Sequence, residues 1–384
     1  MLRLKDAITI DDLKVLARRR LPRVLWDYLE GAAEEEHTMR ANRLAFDRYA
    51  FVPRAATGAG KPALGIELYG HKLAAPFLVG PTGLNGIFQP NGDLHLARAC
   101  EDAGIGMALA TASTNSMEEV AATARRGTFR MFQLYPWGGA DMASHLADRA
   151  ADAGFHALMV TVDSLFPGNR LRDRRNGFAH SLRMSPQVVV DGLLHPQWLV
   201  STWLPHGMPK LKNIAPLLPA GASAYELAAF TRDQRNPNYS WDDIAWLRRK
   251  WKLPLIVKGL LSPEDVRRAR REGLDGIVVS NHGGRALDGA PATLDILPAM
   301  LDAAGDMPVM VDSGFRRGSD IVKALALGAR CVLLGRATLY GLAAGGHDGV
   351  ARAIRILADE TERVLALLGV GSVMQLRPDH IQRT

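Results

Sequence analysis

The sequence predicts an α/β fold: a (β/α)8 TIM barrel with an N-terminal helical lead-in and a long insertion after strand four. Three observations predict it. Eight short runs of aliphatic and β-branched residues recur without polar alternation, as suits strands buried on both faces of a parallel sheet. Segments with apolar residues near a 3.6 period lie between them. A count of eight closes a barrel, whereas an open doubly wound sheet is expected to have fewer strands and a Gly-rich first turn.

The runs are, in order, Phe77–Gly80, Met107–Thr111, Met131–Tyr135, Ala157–Asp163, Leu255–Gly259, Gly276–Asn281, Val309–Ser313 and Cys331–Gly335. Helical patterns fall at Asp93–Ala103, Ser116–Ala124, Asp141–Ala153, Trp241–Trp251, Pro263–Glu272, Leu294–Ala303 and Ser319–Leu327. The string SPEDV at 262–266 is a helix start, with Ser as N-cap, Pro at N1 and acids in the first turn. Leading helices at Thr9–Arg20 and Val24–Gly31 are placed to cap the barrel. Between the fourth run and the fifth the spacing fails, which leaves an insertion over 170–240 on the face where βα loops emerge. A chain of 384 residues suggests two or three domains at roughly 150 residues each. The strand count reads it instead as a single domain, 1–384, carrying that insertion.

Hydrophobic residues at 47% and charged residues at 23% are globular values and exclude a disordered chain, a collagen or a multi-span membrane protein. The net charge of +7 is mild, favouring anionic ligands or an anionic membrane surface without implying nucleic acid. Two cysteines, Cys100 and Cys331, exclude a disulfide framework and point to a reducing compartment. The N-terminus is charged throughout, unlike a signal peptide, and the ending DHIQRT is no peroxisomal signal, so a cytoplasmic location is expected. One stretch between Asp191 and Lys210 lacks all charge. It contains Pro196, Pro205 and Pro209 and is a poor spanning helix.

Functional side chains in barrels collect at the carboxyl ends of the strands. Here those ends carry Pro81-Thr82-Gly83, Gln133 and Tyr135, Thr161 and Asp163 with Arg170 beyond, Lys258, Ser280-Asn281-His282 with Arg285, Asp312 and Gly314 with Arg316, and Gly335-Arg336. Gly314, Arg316, Gly335 and Arg336 follow the last two strands, where barrels commonly hold phosphate; ordinary turns with exposed arginines are the alternative. No strand–GxGxxG–helix unit and no GxxxxGKS/T is present, so neither a Rossmann site nor a P-loop is supported. His282 in a Gly-rich turn is a candidate general base, with Asp163 to hold its imidazolium. Arg170 and Arg285 could chelate one carboxylate. Lys258 at the barrel centre needs a negative partner, either a reduced flavin with charge around N1 and O2 or a barrel acid. His180, His195 and His206 lack ligand spacing, so no metal is expected.

The strings VKG at 257–259, SNHGGR at 280–285, DSGFRRGSD at 312–320, KALALGA at 323–329 and LGR at 334–336 resemble the FMN-dependent 2-hydroxy acid dehydrogenases and oxidases. The resemblance runs from DYLEGA at 27–32 to the last helices. PTGLNG at 81–86, TAS at 111–113, LHPQW at 194–198, HGMP at 206–209 and GRATLYGLA at 335–343 resemble the (S)-mandelate dehydrogenase branch. The resemblance implies FMN as cofactor and His282 as the group that takes a proton from the substrate, with Asp163 stabilising its protonated form. It implies that Arg170 and Arg285 bind the substrate carboxylate, with Tyr28 and Tyr135 on substrate oxygens. Pro81, Thr82, Gly83, Gln133, Thr161, Ser280 and Lys258 would meet the isoalloxazine ring, Lys258 near N1 and O2. Asp312, Gly314, Arg316, Gly335 and Arg336 would hold the ribityl phosphate. Whether the α-carbon loses a proton or a hydride stays open.

Ala110 stands where the family often has a flavin-contacting serine. Ala112 replaces a bulky aromatic of the glycolate-oxidising branch and leaves room for an aryl or long side chain. Gly83 replaces the alanine common in oxidases. In the mandelate branch the insertion resembles a membrane-docking segment. Val188–Val190, Leu193-Leu194, Trp198–Val200 and Trp203-Leu204 would meet lipid, the tryptophans at the headgroups, with Lys210 and Lys212 on anionic lipid. A loop packed on the barrel or on a neighbouring subunit is the alternative. The implied enzyme oxidises a small (S)-2-hydroxy acid, mandelate or similar, and passes electrons to a membrane quinone. It would be a homotetramer bound peripherally at the inner face of the cell membrane. A soluble oxidase making hydrogen peroxide and an FMN-binding barrel isomerase are the rivals.

Overall fold

The computed structural model describes residues 2–125, 127–178, 185–219 and 221–384. Eight parallel strands close a barrel: β1 (Phe77–Val79), β2 (Met107–Ala110), β3 (Arg130–Leu134), β4 (Ala157–Thr161), β5 (Leu255–Leu260), β6 (Gly276–Val279), β7 (Val309–Val311) and β8 (Cys331–Leu334). Each pairs with its neighbours in sequence, and β8 closes on β1 through Val332↔Phe77 and Leu334↔Val79. Nearly every strand residue is buried, because side chains fill the barrel and helices cover its outside. That double burial is why the runs lack alternation.

Strands and intervening helices fall where the pattern predicts, with ends differing by a few residues. The lead-in is α1 (Ile10–Arg20) and α2 (Arg23–Glu30), the first opened by a Thr9–Asp12 capping box. Ser262 caps the helix Pro263–Arg271 as its sequence signals. Some elements were not expected. They include α3 (His37–Asp47), a hairpin of Ile66–Leu68 with His71–Leu73, and Tyr49–Phe51 paired antiparallel with Ile381–Arg383. Strands of three residues are too short to display a period.

The insertion between β4 and β5, expected as a loop, carries helices of its own at Pro186–Leu193, Pro196–Trp198, Leu204–His206 and Ala224–Asp233. Residues 179–184, His180 among them, lie outside the described residues. Arg20 at the end of α1 pins this region, donating to the Phe88 and Ala343 carbonyls at 2.7 and 2.9 Å and to Ser201 Oγ at 3.0 Å. The tryptophans depart from the headgroup expectation. Trp198 is buried and its indole N–H donates to the Ile87 carbonyl at 2.8 Å, while Trp203 stacks on it at 5.8 Å. A buried indole needs an acceptor, and the chain after β1 supplies one. Val189, Val190, Leu193, Leu194, Val200 and Leu204 stay exposed, Leu194 at 72%. Among the described residues no helix is long and apolar enough to cross a membrane.

At the far end of the barrel His156 receives the Arg130 backbone N–H on Nδ1 at 3.0 Å, and its ring lies 4.2 Å from that of His71. Burial, then the charges of His71 and Arg130, push its pKa down from 6.5 to about 4. The unfolded chain therefore binds this proton first as pH falls, and the stability from neutral His156 is lost from about 6.5 down through about 4. The melting temperature is expected to drop over that window, and His156→Gln to flatten the drop. Equal slopes in calorimetry of both proteins would contradict this.

Candidate active site

The barrel mouth holds a cavity of about 300 Å³. Of the predicted residues, Tyr28, Pro81, Thr82, Gly83, Ala112, Tyr135, Arg170, Lys258, His282, Arg285, Asp312, Gly314, Arg316, Gly335 and Arg336 line it. Gln133, Thr161, Asp163 and Ser280 do not line the wall and lie buried behind it. Asp163 and Ser280 act there on lining residues through hydrogen bonds.

His282 is presented by the turn after β6 in a left-handed conformation, φ 58°, and its N–H donates to Ser280 Oγ at 3.0 Å. Such a backbone is sparsely populated for a residue with a Cβ and marks sites where position matters more than comfort. Its Nδ1 lies 2.8 Å from Asp163 Oδ1. A carboxylate only accepts, so Nδ1 carries the proton and Nε2 is the basic nitrogen. Burial would raise the Asp163 carboxyl, but His282 and Lys258 hold it below its ordinary range. Gly259 makes this contact fit: its φ is +105°, and a Cβ there would sit 2.6 Å from Asp163 Cβ.

Lys258 projects from β5, buried, donating to Ser280 Oγ at 2.9 Å and pairing with Asp312 at 3.2 Å. Burial would lower its ammonium, yet Asp312 and then Asp163 raise it above its usual value. The barrel-acid alternative for Lys258 is thus met by Asp312, a residue expected at the ribityl phosphate. Ser313, at φ 80°, donates to Asp312 at 2.8 Å and receives the Gly283 N–H at 3.0 Å. One network therefore ties the ends of β4, β5, β6 and β7.

The arginines are held differently from a simple anion clamp. Arg170 and Arg285 lie over the Tyr28 ring, 5.2 and 5.1 Å from its centroid. Arg170 pairs with Asp173 at 3.1 Å. Arg285 Nη1 donates to the Tyr28 and Gly31 carbonyls at 2.8 Å each. Arg336 donates to the carbonyls of Leu29, Gly31 and Gly283 at 3.2, 2.8 and 2.9 Å. Helix α2 ends there and leaves carbonyls without intrahelical partners, so the two guanidiniums cap it. Three of the five N–H groups of Arg336 are committed and two remain for an anion. Burial, then Arg170 and Arg336, lowers Arg285 to about 9.

The residues fit a flavin mononucleotide. Gln133 Nε2 and Thr161 Oγ1, on adjacent strands, are buried without a hydrogen-bond partner. Buried polar groups are nearly always satisfied, so these two call for a ligand with polar edges. At the other end Gly335 gives no side-chain cap to the helix Arg336–Leu368, leaving amide donors beside Arg316 and Arg336. Arg235 and Trp137 line the cavity and were not expected. Trp137 stacks on Tyr135 at 4.7 Å and could have been sought two residues past a strand end. Arg235 had no such signal, because it comes from the insertion.

Residues 17–383 match the family described as FMN-dependent dehydrogenase. The chain is 42% identical to (S)-mandelate dehydrogenase of Pseudomonas putida over 379 residues, covering 98% of this chain and 94% of that one. It is 37% identical to an L-lactate dehydrogenase of Pseudomonas syringae pv. syringae over 366 residues, covering 95% and 96%. A crystal structure of the monotopic membrane protein (S)-mandelate dehydrogenase superposes with a TM-score of 0.94 at 42% identity, covering 99% of this chain and 100% of that one. A cavity lined by His282, Lys258 and five arginines, with unpartnered polar atoms at Gln133 and Thr161, accords with those likenesses. The chain belongs to the FMN-dependent dehydrogenase family and is an FMN-dependent 2-hydroxy acid dehydrogenase.

Proposed function

We propose that the enzyme oxidises (S)-mandelate or a similar aryl 2-hydroxy acid to the 2-oxo acid and passes the electrons to a membrane quinone. The observation that carries the chemistry is the 2.8 Å bond between His282 Nδ1 and Asp163. It leaves Nε2 to take the proton released as the hydroxyl carbon becomes a carbonyl, and Asp163 holds the imidazolium that results. Arg170 and Arg285 bind the substrate carboxylate, while Tyr28 and Tyr135 orient its oxygens. FMN would supply the two-electron acceptor. Lys258, paired with Asp312, would meet the N1 and O2 edge of its ring; Pro81, Thr82 and Gly83 would meet the ring from the wall, with Gln133, Thr161 and Ser280 behind it; and Gly314, Arg316, Gly335 and Arg336 would hold the ribityl phosphate. Room for an aromatic side chain comes from Ala112 and Gly83. A Cβ on Gly83 would approach Ala112 Cβ to 3.0 Å, so larger residues at either place would narrow the mouth.

The membrane reading is supported by the exposed apolar row on the insertion, from Val189 to Leu204, carried on short helices braced by Arg20. A polar partner face would not explain six exposed aliphatic residues. The proposal places the chain, 1–384 as one catalytic unit with 170–240 as its docking insertion, on the inner face of the membrane as a homotetramer.

Three outcomes test this. His282→Gln is expected to keep the yellow of bound FMN and to slow anaerobic flavin reduction by mandelate roughly 10²- to 10⁴-fold. Reduction near the original rate would remove His282 as the base. Reduced enzyme is expected to reoxidise slowly in air and rapidly with a soluble quinone; fast peroxide formation would instead identify an oxidase. Replacing Leu193, Leu194, Val200 and Leu204 with serine is expected to release the protein from sedimented anionic vesicles with flavin reduction retained. Unchanged sedimentation would end the docking reading.

A further inference from the structure

Arg235 sits between the helices Ala224–Asp233 and Trp241–Lys250, far in sequence from every strand end. The segment folds back onto the mouth, where the Gly138 N–H donates to the Gln234 carbonyl at 2.8 Å. Arg235 thereby joins Tyr135, Trp137 and Arg170 in the cavity wall. Its Nε is buried and has no hydrogen-bond partner. Burial and the neighbouring cation Arg170 both disfavour its charge, and among the described residues Tyr135 is the group that opposes them. The acids around the mouth are otherwise engaged, Asp173 with Arg170, Asp312 with Lys258, Asp163 with His282 and Glu30 with Lys14.

A guanidinium partly withdrawn from water, with its Nε buried, into a site that already holds two others is costly unless an anion meets it. The substrate's reacting carboxylate already has Arg170 and Arg285. An unsubstituted phenyl ring would leave the Arg235 Nε without an acceptor. We propose that Arg235 forms a distal anion subsite, and that the substrates of this enzyme include 2-hydroxy acids carrying a second carboxylate on the side chain. The proposal rests on the reading in which Arg170 and Arg285 hold the first carboxylate. It differs from that reading in predicting a preference within the substrate class, set by a residue of the insertion.

The test is anaerobic flavin reduction of the holoenzyme by two matched pairs, mandelate with 4-carboxymandelate and 2-hydroxyvalerate with 2-hydroxyglutarate, each as the (S) enantiomer. The quantity read is the ratio of reduction efficiency, diacid over monoacid, within a pair, so that a general loss cancels. The wild type is expected to favour a diacid, and Arg235→Met to lower that ratio roughly 10- to 100-fold, the worth of a charge-assisted hydrogen bond. Arg235→Lys is expected to restore part of it. A wild-type ratio below one in both pairs, or a ratio unmoved by Arg235→Met, overturns the subsite while monoacid reduction still supports the functional reading. If none of the four acids reduces the flavin, both fall together.

Discussion

Positive charge buried at the mouth of the barrel is the constraint around which this structure is arranged. Arg285, Arg316, Arg336 and Lys258 are withdrawn from water, with Arg170 and Arg235 at their edge. Desolvated cations repel one another and must be met by acceptors. The protein meets them with partial charges as much as with acids. The end of α2 offers the carbonyls of Tyr28, Leu29 and Gly31 to Arg285 and Arg336. Glu30, on the same turn, receives the Tyr340 hydroxyl at 2.5 Å, and that hydroxyl accepts from Arg316 at 3.3 Å. The helical lead-in is therefore part of the site's electrostatics and more than a cap on the barrel.

The same constraint explains the strained turns. Holding His282 against Asp163 and Ser313 against Asp312 requires left-handed backbone at both histidine and serine. The network through Ser280 and Lys258 fixes those turns from several sides, which is how sparsely populated conformations persist. Local strain and the barrel's rigid strands together give His282 and Asp163 one relative position.

The insertion serves two faces. Its inner side is tied to the barrel by Trp198, Trp203 and Arg20, and its outer side presents aliphatic residues to solvent. The charge-free stretch is apolar in sequence, but no local pattern divides its tryptophans from its leucines. An indole and an aliphatic chain are equally apolar in a pattern; only a carbonyl within reach, here that of Ile87, decides which one turns inward.

By itself the sequence determined the barrel and many of the polar residues that gather at its mouth. Both are written in local terms: eight uninterrupted apolar runs require burial on two faces, and polar residues at the ends of those runs must share one mouth. His282, Asp163, Lys258, Arg170 and Arg285 were legible for that reason. Tertiary structure alone decided which partner each charge has. It gave Asp312 to Lys258, turned Arg285 and Arg336 to the end of α2, and set Gln133 and Thr161 behind the wall with atoms unsatisfied. It also brought Arg235 into the cavity from a segment with no periodic relation to any strand. Strand patterns follow from burial, which a sequence records residue by residue. Pairing depends on distances of a few ångströms between elements far apart in the chain, which no local pattern encodes.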